Sequence, residues 1–327
     1  MQTLLKTTRA YSLLQNEGKS TGFSHAYLLL FDDARNLRVA LKTFAKLLFG
    51  CENEYSAQEK RISSLIDSES FSDCLCYPSE AGKKLLVEDA EKILEESTLA
   101  PVEGEKKVFL IGDFSQANPQ TQNKLLKLLE EPPKGVIFLL GATSAFSVLS
   151  TVLSRTKKLE ILSFDTPSVV EYLQRAYADK YEQNAMELCA AAAGGNVGVA
   201  CSLLEGGQQQ ELTENAFSLV LSPLYKLPSV IKQIGETAQK KELFTLLRLI
   251  FRDALLCKTG QTKYLTLRGE KTRIEEVADA YTASALLYAQ EAISLAEKQV
   301  TFNAVFPQCL EICMANVLAE NEKSKKI

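Results

Sequence analysis

Residues 107–133, KVFLIGDFSQANPQTQNKLLKLLEEPP, decide how the chain is read. The opening Lys107–Ile111 is a short apolar run of strand length, and Gly112-Asp113 breaks it. From Gln120 to Glu131 the leucines recur at helical spacing, and Pro132-Pro133 stops that pattern. Gly135–Leu140 is apolar again, so the stretch reads strand, helix, strand. Working outward, His25–Phe31 reads as a strand, Val39–Phe49 as a helix, Cys74–Tyr77 as a strand, Val87–Ser97 as a helix and Leu159–Leu162 as a last short strand. Repeated units of this size predict an α/β domain with a parallel sheet covered on both faces. The acidic segment holding Glu52, Glu54, Glu59, Asp67 and Glu69 predicts a solvated helical hairpin.

The strand signal ends at about Thr166. Pro167 opens a helix at its first turn, and Ala185–Ala193 forms another that stops at Gly194-Gly195. From Glu211 onward the pattern is helical, with apolar residues three and four apart in Leu243–Leu256, Ala280–Ala296 and Ala304–Leu318. A hinge is expected in the Gly206–Gln210 stretch, and the end from Asn321 to Lys326 is expected to fray. The domains predicted are 1–165, 166–208 and 209–327.

Composition narrows the function. The 327 residues are 46% hydrophobic and 24% charged, as in a packed globular protein. The net charge of −4 gives no overall attraction to nucleic acid, so any contact with DNA needs a local patch or a partner. His25 is the one histidine, which removes most histidine-based triads and zinc hydrolases. Lys6, Arg9 and Gln15 interrupt the apolar residues of the N-terminus, unlike a signal peptide, and no apolar run reaches membrane-spanning length. Eight cysteines without a regular framework fit reduced thiols in a cytoplasm.

Asp32-Asp-Ala-Arg-Asn-Leu-Arg38 follows the first strand, where a phosphate-binding loop would lie. Such a loop needs glycines whose N–H groups turn inward, then a lysine and a hydroxyl. Ala34, Asn36, Leu37 and Arg38 supply none of these, and Asp32 and Asp33 would repel phosphate. Taken alone the loop reads as an ordinary surface connection.

Asn123, Leu125-Leu-Lys127 and Leu129-Glu-Glu-Pro-Pro133 closely resemble the clamp-loader AAA+ family, and the likeness extends to His25-Ala-Tyr, Phe44-Ala-Lys46 and Asp73 through Val87. The resemblance implies a RecA-like AAA+ parallel-sheet domain, a small three-helix lid and an all-α collar that includes Thr301–Phe306 and Cys309–Asn316. In hydrolysing members the central strand ends in Asp-Glu, which holds magnesium and polarises water. Gly112-Asp113 stands there instead, and Val197, Gly198 and Val199 bring no arginine to the region resembling sensor 2. Val136–Thr143 resembles the sensor-1 strand. Leu153-Ser154-Arg155-Thr156 is similar to the family's Ser-Arg-Cys motif, whose arginine enters a neighbour's ATP site; Ser154 and Thr156 are expected to shape its turn. The zinc cluster of many relatives is missing. Cys74 and Cys76, one residue apart, read as buried small side chains, and neither a metal nor a cofactor is expected.

The resemblance therefore implies a subunit without ATP hydrolysis of its own. It would assemble with gamma/tau motor subunits and a delta subunit, and through them with a sliding clamp and primer-template DNA. Two other readings stay open: a divergent motor that binds ATP through Arg35 and Arg38, and an adaptor with no tie to replication.

Overall fold

The computed structural model describes residues 1–178, 180–207, 209–235, 237 and 239–325. The chain divides into two compact units, Met1–Ser163 and Phe164–Ile327.

The first unit is built on five parallel strands: β1 (Ala26–Phe31), β2 (Cys74–Tyr77), β3 (Lys107–Ile111), β4 (Val136–Ala142) and β5 (Lys157–Ile161), side by side in the order β2-β3-β4-β1-β5. Inner strands of such a sheet meet helices on both faces, which is why β1, β3 and β4 are buried along their whole length. At the edge, β5 buries only Leu159 and Ile161 and leaves Lys157 and Lys158 exposed. The connecting helices Leu37–Leu48, Val87–Ser97 and Pro119–Glu130 carry the chain back between strands. Phe109 and Phe138 stack across β3 and β4 at 5.3 Å between ring centroids. Gly141 in β4 lets the helix Leu37–Leu48 approach closely, because a Cβ there would stand 3.0–3.2 Å from Leu41 and Leu37. Truncating one of the fully buried leucines of β1 to alanine costs about 2–5 kcal/mol in a core packed like this.

Local signals account for the boundaries. The side chain of Asn118 accepts the N–H of Thr121 at 2.8 Å and Pro119 fills the first turn, so the leucine helix starts one residue before the expected Gln120. Asp73, fully buried, accepts the N–H groups of Val102, Glu103 and Gly104 at 2.6–3.0 Å and so ties down the loop that leads into β3. The expected acidic hairpin is a single helix, Ala57–Asp67. Its start is fixed by Ser56, which accepts the Glu59 N–H at 3.1 Å, and Glu69 beyond it leaves solvent for Arg38 and Lys42. The N-terminus forms two helices, Gln2–Lys6 and Arg9–Ser20. Glu17 in the second accepts from Ser24 and Tyr27 and pairs with Lys157, joining that helix to both β1 and β5.

The second unit contains no strand among the described residues. Thr166–Tyr177, Gln183–Ala192 and Val197–Gly206 are followed by Gln209–Leu221, Leu227–Ile234, Lys240–Lys258, Lys271–Ala280, Ala283–Thr301 and Phe306–Ser324. Helix Val197–Gly206 ends at Gly207, whose φ of 65° suits glycine. The expected hinge includes Gln208, which lies outside the described residues. The helix expected over Ala280–Ala296 is broken at Tyr281-Thr282: the Tyr281 hydroxyl donates to Val220 O at 2.6 Å, and Thr282 caps the next helix by accepting the Ala285 N–H.

The expected fraying from Asn321 onward does not hold through Ser324. Asn321 is buried, accepts the Thr282 N–H at 2.7 Å and donates to Ala280 O at 3.0 Å, which extends the last helix to Ser324; Lys326 lies outside the described residues. Asp253 is buried too and accepts the Thr266 and Leu267 N–H groups at 2.8 Å each, while burial raises its carboxyl pKa.

Candidate functional site

In a parallel sheet all strands end on the same side, so the segments after β1, β3 and β4 meet at one edge. Ligands of open α/β sheets bind at that carboxyl edge. Here the protein's own side chains occupy it. Asp33 follows β1 and is 1% exposed. Its carboxylate accepts the backbone N–H of Asn36 at 3.0 Å and the Asn36 amide at 2.8 Å, at the start of the helix Leu37–Leu48. A helix N-terminus attracts anions, and an internal carboxylate lies where a phosphate would be drawn. Leu37 is buried in the core, whereas Ala34 and Asp32 are exposed.

Arg38 is committed elsewhere. It forms a two-pronged ion pair with Glu69 and donates to Pro78 O at 2.8 Å and Ser79 O at 3.1 Å. Hydrogen bonds from Arg38 are the main cause that lowers the Glu69 pKa to about 2; Lys42, 2.6 Å away, adds to it.

After β3, the Gly112 N–H donates to Tyr77 O at 2.7 Å. The Asp113 carboxylate accepts the Thr143 N–H at 3.2 Å, the Gln116 amide at 2.7 Å, and the hydroxyls of Ser115 and Thr143. A carboxylate offers about four lone-pair sites. Those of Asp113 are taken by the chain, so a magnesium ion would have to displace Ser115, Gln116 or Thr143.

Arg155 sits at the opposite edge. It follows the one-turn helix Ser150–Leu153 and precedes β5, whose first residue, Lys157, is level with Tyr27 near the start of β1. The two edges are separated by the length of β1, six residues or about 17 Å of strand. The guanidinium donates to Thr151 O at 2.8 Å and Ser154 Oγ at 3.2 Å and pairs with Glu130 at 2.6 Å. It remains about one-third exposed. The Ser154 hydroxyl donates to Thr151 O and the Thr156 hydroxyl to Val152 O, so both fold onto the same turn. The connection from β4 is held by Gln122, 1% exposed, whose amide donates to Ala117 O and Ser147 O and accepts the Leu149 N–H.

Val197 and Gly198 are buried, and within the region Ala190–Ala200, expected to resemble sensor 2, Asn196 caps a helix by accepting the Val199 N–H. Cys51 and Cys74 are buried and Cys76 is half-buried; burial pushes the Cys51 and Cys76 thiols up to about 11, away from the thiolate a metal needs. Among the described residues there is no group of three or more His, Cys, Asp or Glu side chains placed to hold a metal ion. Sequence reasoning passed over Glu130 and Gln122. Glu130 belonged to the motif that carried the family resemblance, and its position at the far end of the leucine helix was the available sign.

Residues 6–165 match the family model described as "DNA polymerase III, delta subunit". Just under half of the chain is therefore similar to this family. The chain is also similar to tau and gamma subunits. It is similar to the DNA polymerase III subunit tau of Escherichia coli (strain K12), 30% identical over 158 residues that make up 47% of this chain and 23% of that protein. The tau subunit of Bacillus subtilis (strain 168) is 29% identical over 198 residues, 59% of this chain and 35% of that protein. The chain thus spans about a quarter to a third of the length of these relatives. Among solved structures, a DNA polymerase III gamma subunit-related protein from Thermotoga maritima aligns over 95% of this chain and 99% of its own at 16% identity, with a TM-score of 0.42. The resemblance seen in residues 107–156 agrees with this similarity to DNA polymerase III delta, tau and gamma subunits. No helix among the described residues is long and apolar enough to cross a membrane.

Proposed function

We propose that the chain is the delta-prime subunit of a bacterial clamp loader: a cytoplasmic stator that hydrolyses no ATP itself and presents Arg155 to the ATP site of an adjacent gamma/tau subunit. The observation that carries this reading is the contrast between the sheet's two edges. The carboxyl edge is filled by Asp33 and Asp113 with their internal partners, while Arg155 stays at the surface about 17 Å of strand away. That span exceeds the reach of a side chain, so Arg155 serves a neighbour's phosphates rather than its own chain's. A guanidinium fits the task because it is always charged and its planar fork matches phosphoryl oxygens.

In this proposal residues 166–208 form a lid and 209–327 a collar that joins the motor and delta subunits. Through that assembly the chain takes part in placing the sliding clamp on primer-template DNA, as a component of the polymerase holoenzyme. The matched family and the tau relatives support the setting.

The test is DNA-stimulated ATP turnover by a loader reconstituted from gamma/tau, delta and this chain, native or Arg155→Ala, with assembly followed by gel filtration. Turnover falls at least tenfold with assembly intact, since a finger of this kind contributes about 10³-fold or more to phosphoryl transfer at the site it serves. Unchanged turnover overturns the reading. It would favour the adaptor alternative, in which the ion pair of Arg155 with Glu130 merely staples the surface.

A further inference from the structure

The leucine helix Pro119–Glu130 begins at the carboxyl edge of the sheet and ends at the edge where Arg155 emerges. Its last residue, Glu130, is the carboxylate that Arg155 meets at 2.6 Å. The same guanidinium is folded back onto the turn that carries it, through Thr151 O and Ser154 Oγ. The side chain is docked on its own subunit, and it has to leave these contacts before it can reach a phosphate on another. Both partners of the ion pair are partly exposed, 34% and 46%, so the pair is weak enough to be exchanged.

We propose that Glu130 is a positioning residue that holds Arg155 in a docked state, and that a phosphate group of the neighbouring subunit's nucleotide competes with the Glu130 carboxylate for the same guanidinium. This rests on the trans-acting role proposed above for Arg155 and adds the group that restrains it. The backbone around the finger does not need to move. Gln122 fixes Ser147 and Leu149 before it, and the Glu17 to Lys157 pair fixes β5 after it at 2.8 Å. Exchange is therefore a side-chain rotation of Arg155 from a carboxylate to a phosphate, two anions that suit the same planar fork.

The competition has a sign. Removing the negative charge of Glu130 raises the fraction of Arg155 that is undocked and so raises turnover at the neighbour. An exposed ion pair shifts such an equilibrium by about two- to fivefold. The measurement uses the reconstituted loader with saturating ATP and primer-template DNA and four forms of this chain: native, Glu130→Gln, Arg155→Ala and the double variant. Glu130→Gln is expected to raise kcat by about two- to fivefold, to do nothing in the Arg155→Ala background, and to leave the thermal stability of the isolated chain within a degree or two. Glu130→Asp, which keeps the charge, returns kcat toward the native value. A fall or no change in kcat for Glu130→Gln, with Arg155→Ala still damaging, sinks the docking role alone. An equal gain in both backgrounds sinks it too, because the effect would not run through Arg155. If Arg155→Ala itself is without effect, the trans-acting role fails and the docking role falls with it.

Discussion

The two edges of the parallel sheet treat charge in opposite ways. At the carboxyl edge Asp33 is almost fully buried and bonded to Asn36, and Asp113 is wrapped by Ser115, Gln116 and Thr143, so each acid is satisfied locally. At the amino edge Arg155 has partners as well, yet they are a half-exposed glutamate, a carbonyl and a hydroxyl on its own turn, all reachable by water. Buried, fully paired groups are costly to disturb, whereas exposed pairs exchange readily. The difference teaches how, on the proposed function, a fold could retire one site and keep another: the carboxyl edge is turned into structure, and the amino edge is left with contacts it can give up.

That contrast can be broken or sharpened experimentally. The largest effect is expected from Arg155→Lys in the reconstituted loader. It keeps the positive charge but loses the planar fork, and turnover falls about tenfold if bidentate recognition matters; recovery to native turnover would reduce the amino edge to simple charge. Next is Asp33→Ala, which strips a buried acceptor from Asn36 and the start of the helix Leu37–Leu48. A loss of about 1–3 kcal/mol in urea unfolding is expected, with no gain in ATP binding. Tight ATP binding by that variant would show that Asp33 alone keeps the edge closed.

A smaller, pH-dependent effect belongs to Glu69. Its folded pKa of about 2 lies below the ordinary 4.5, so its ion pairs with Arg38 and Lys42 stabilise the fold above about pH 4.5, and this contribution is lost as pH falls through 2. Denaturant midpoints measured between pH 5 and 2.5 should fall more steeply for the native chain than for Glu69→Gln; parallel curves would remove Glu69 from the account. The smallest effect is Gly112→Ala. A Cβ there meets Tyr77 O at 3.6 Å and Pro78 at 3.9 Å, ordinary contacts, so the melting temperature should move by no more than a degree or two. A large loss would mean that glycine is a structural requirement at 112 rather than a vacated acid position.

The sheet was legible because its inner strands are continuous apolar runs and its leucine helix carries a clear stop in Pro132-Pro133. What escaped depended on contacts distant in sequence. Nothing local marks Asn321 as buried, since its partners Ala280 and Thr282 lie 41 and 39 residues earlier. Glu69 looked like one more solvated acid in an acidic stretch, and only the fold brings Arg38 and Lys42 to it. At the candidate site, Arg155, Gly112-Asp113 and the loop at Ala34–Arg38 could be singled out from residue type and order. The inward turn of Asp33 and the pairing of Glu130 could not, because both follow from which side chains the sheet brings together at each edge.

The parallel order of the strands has one more consequence. It gives the unit a head and a tail that differ, so in the proposed assembly a neighbour that takes Arg155 meets this unit's amino edge with its own carboxyl edge. On the same proposal, a member whose carboxyl edge is filled by Asp33 and Asp113 would receive no neighbour's arginine there. On the proposed function it would stand at the end of such a row, giving in one direction and closing it in the other.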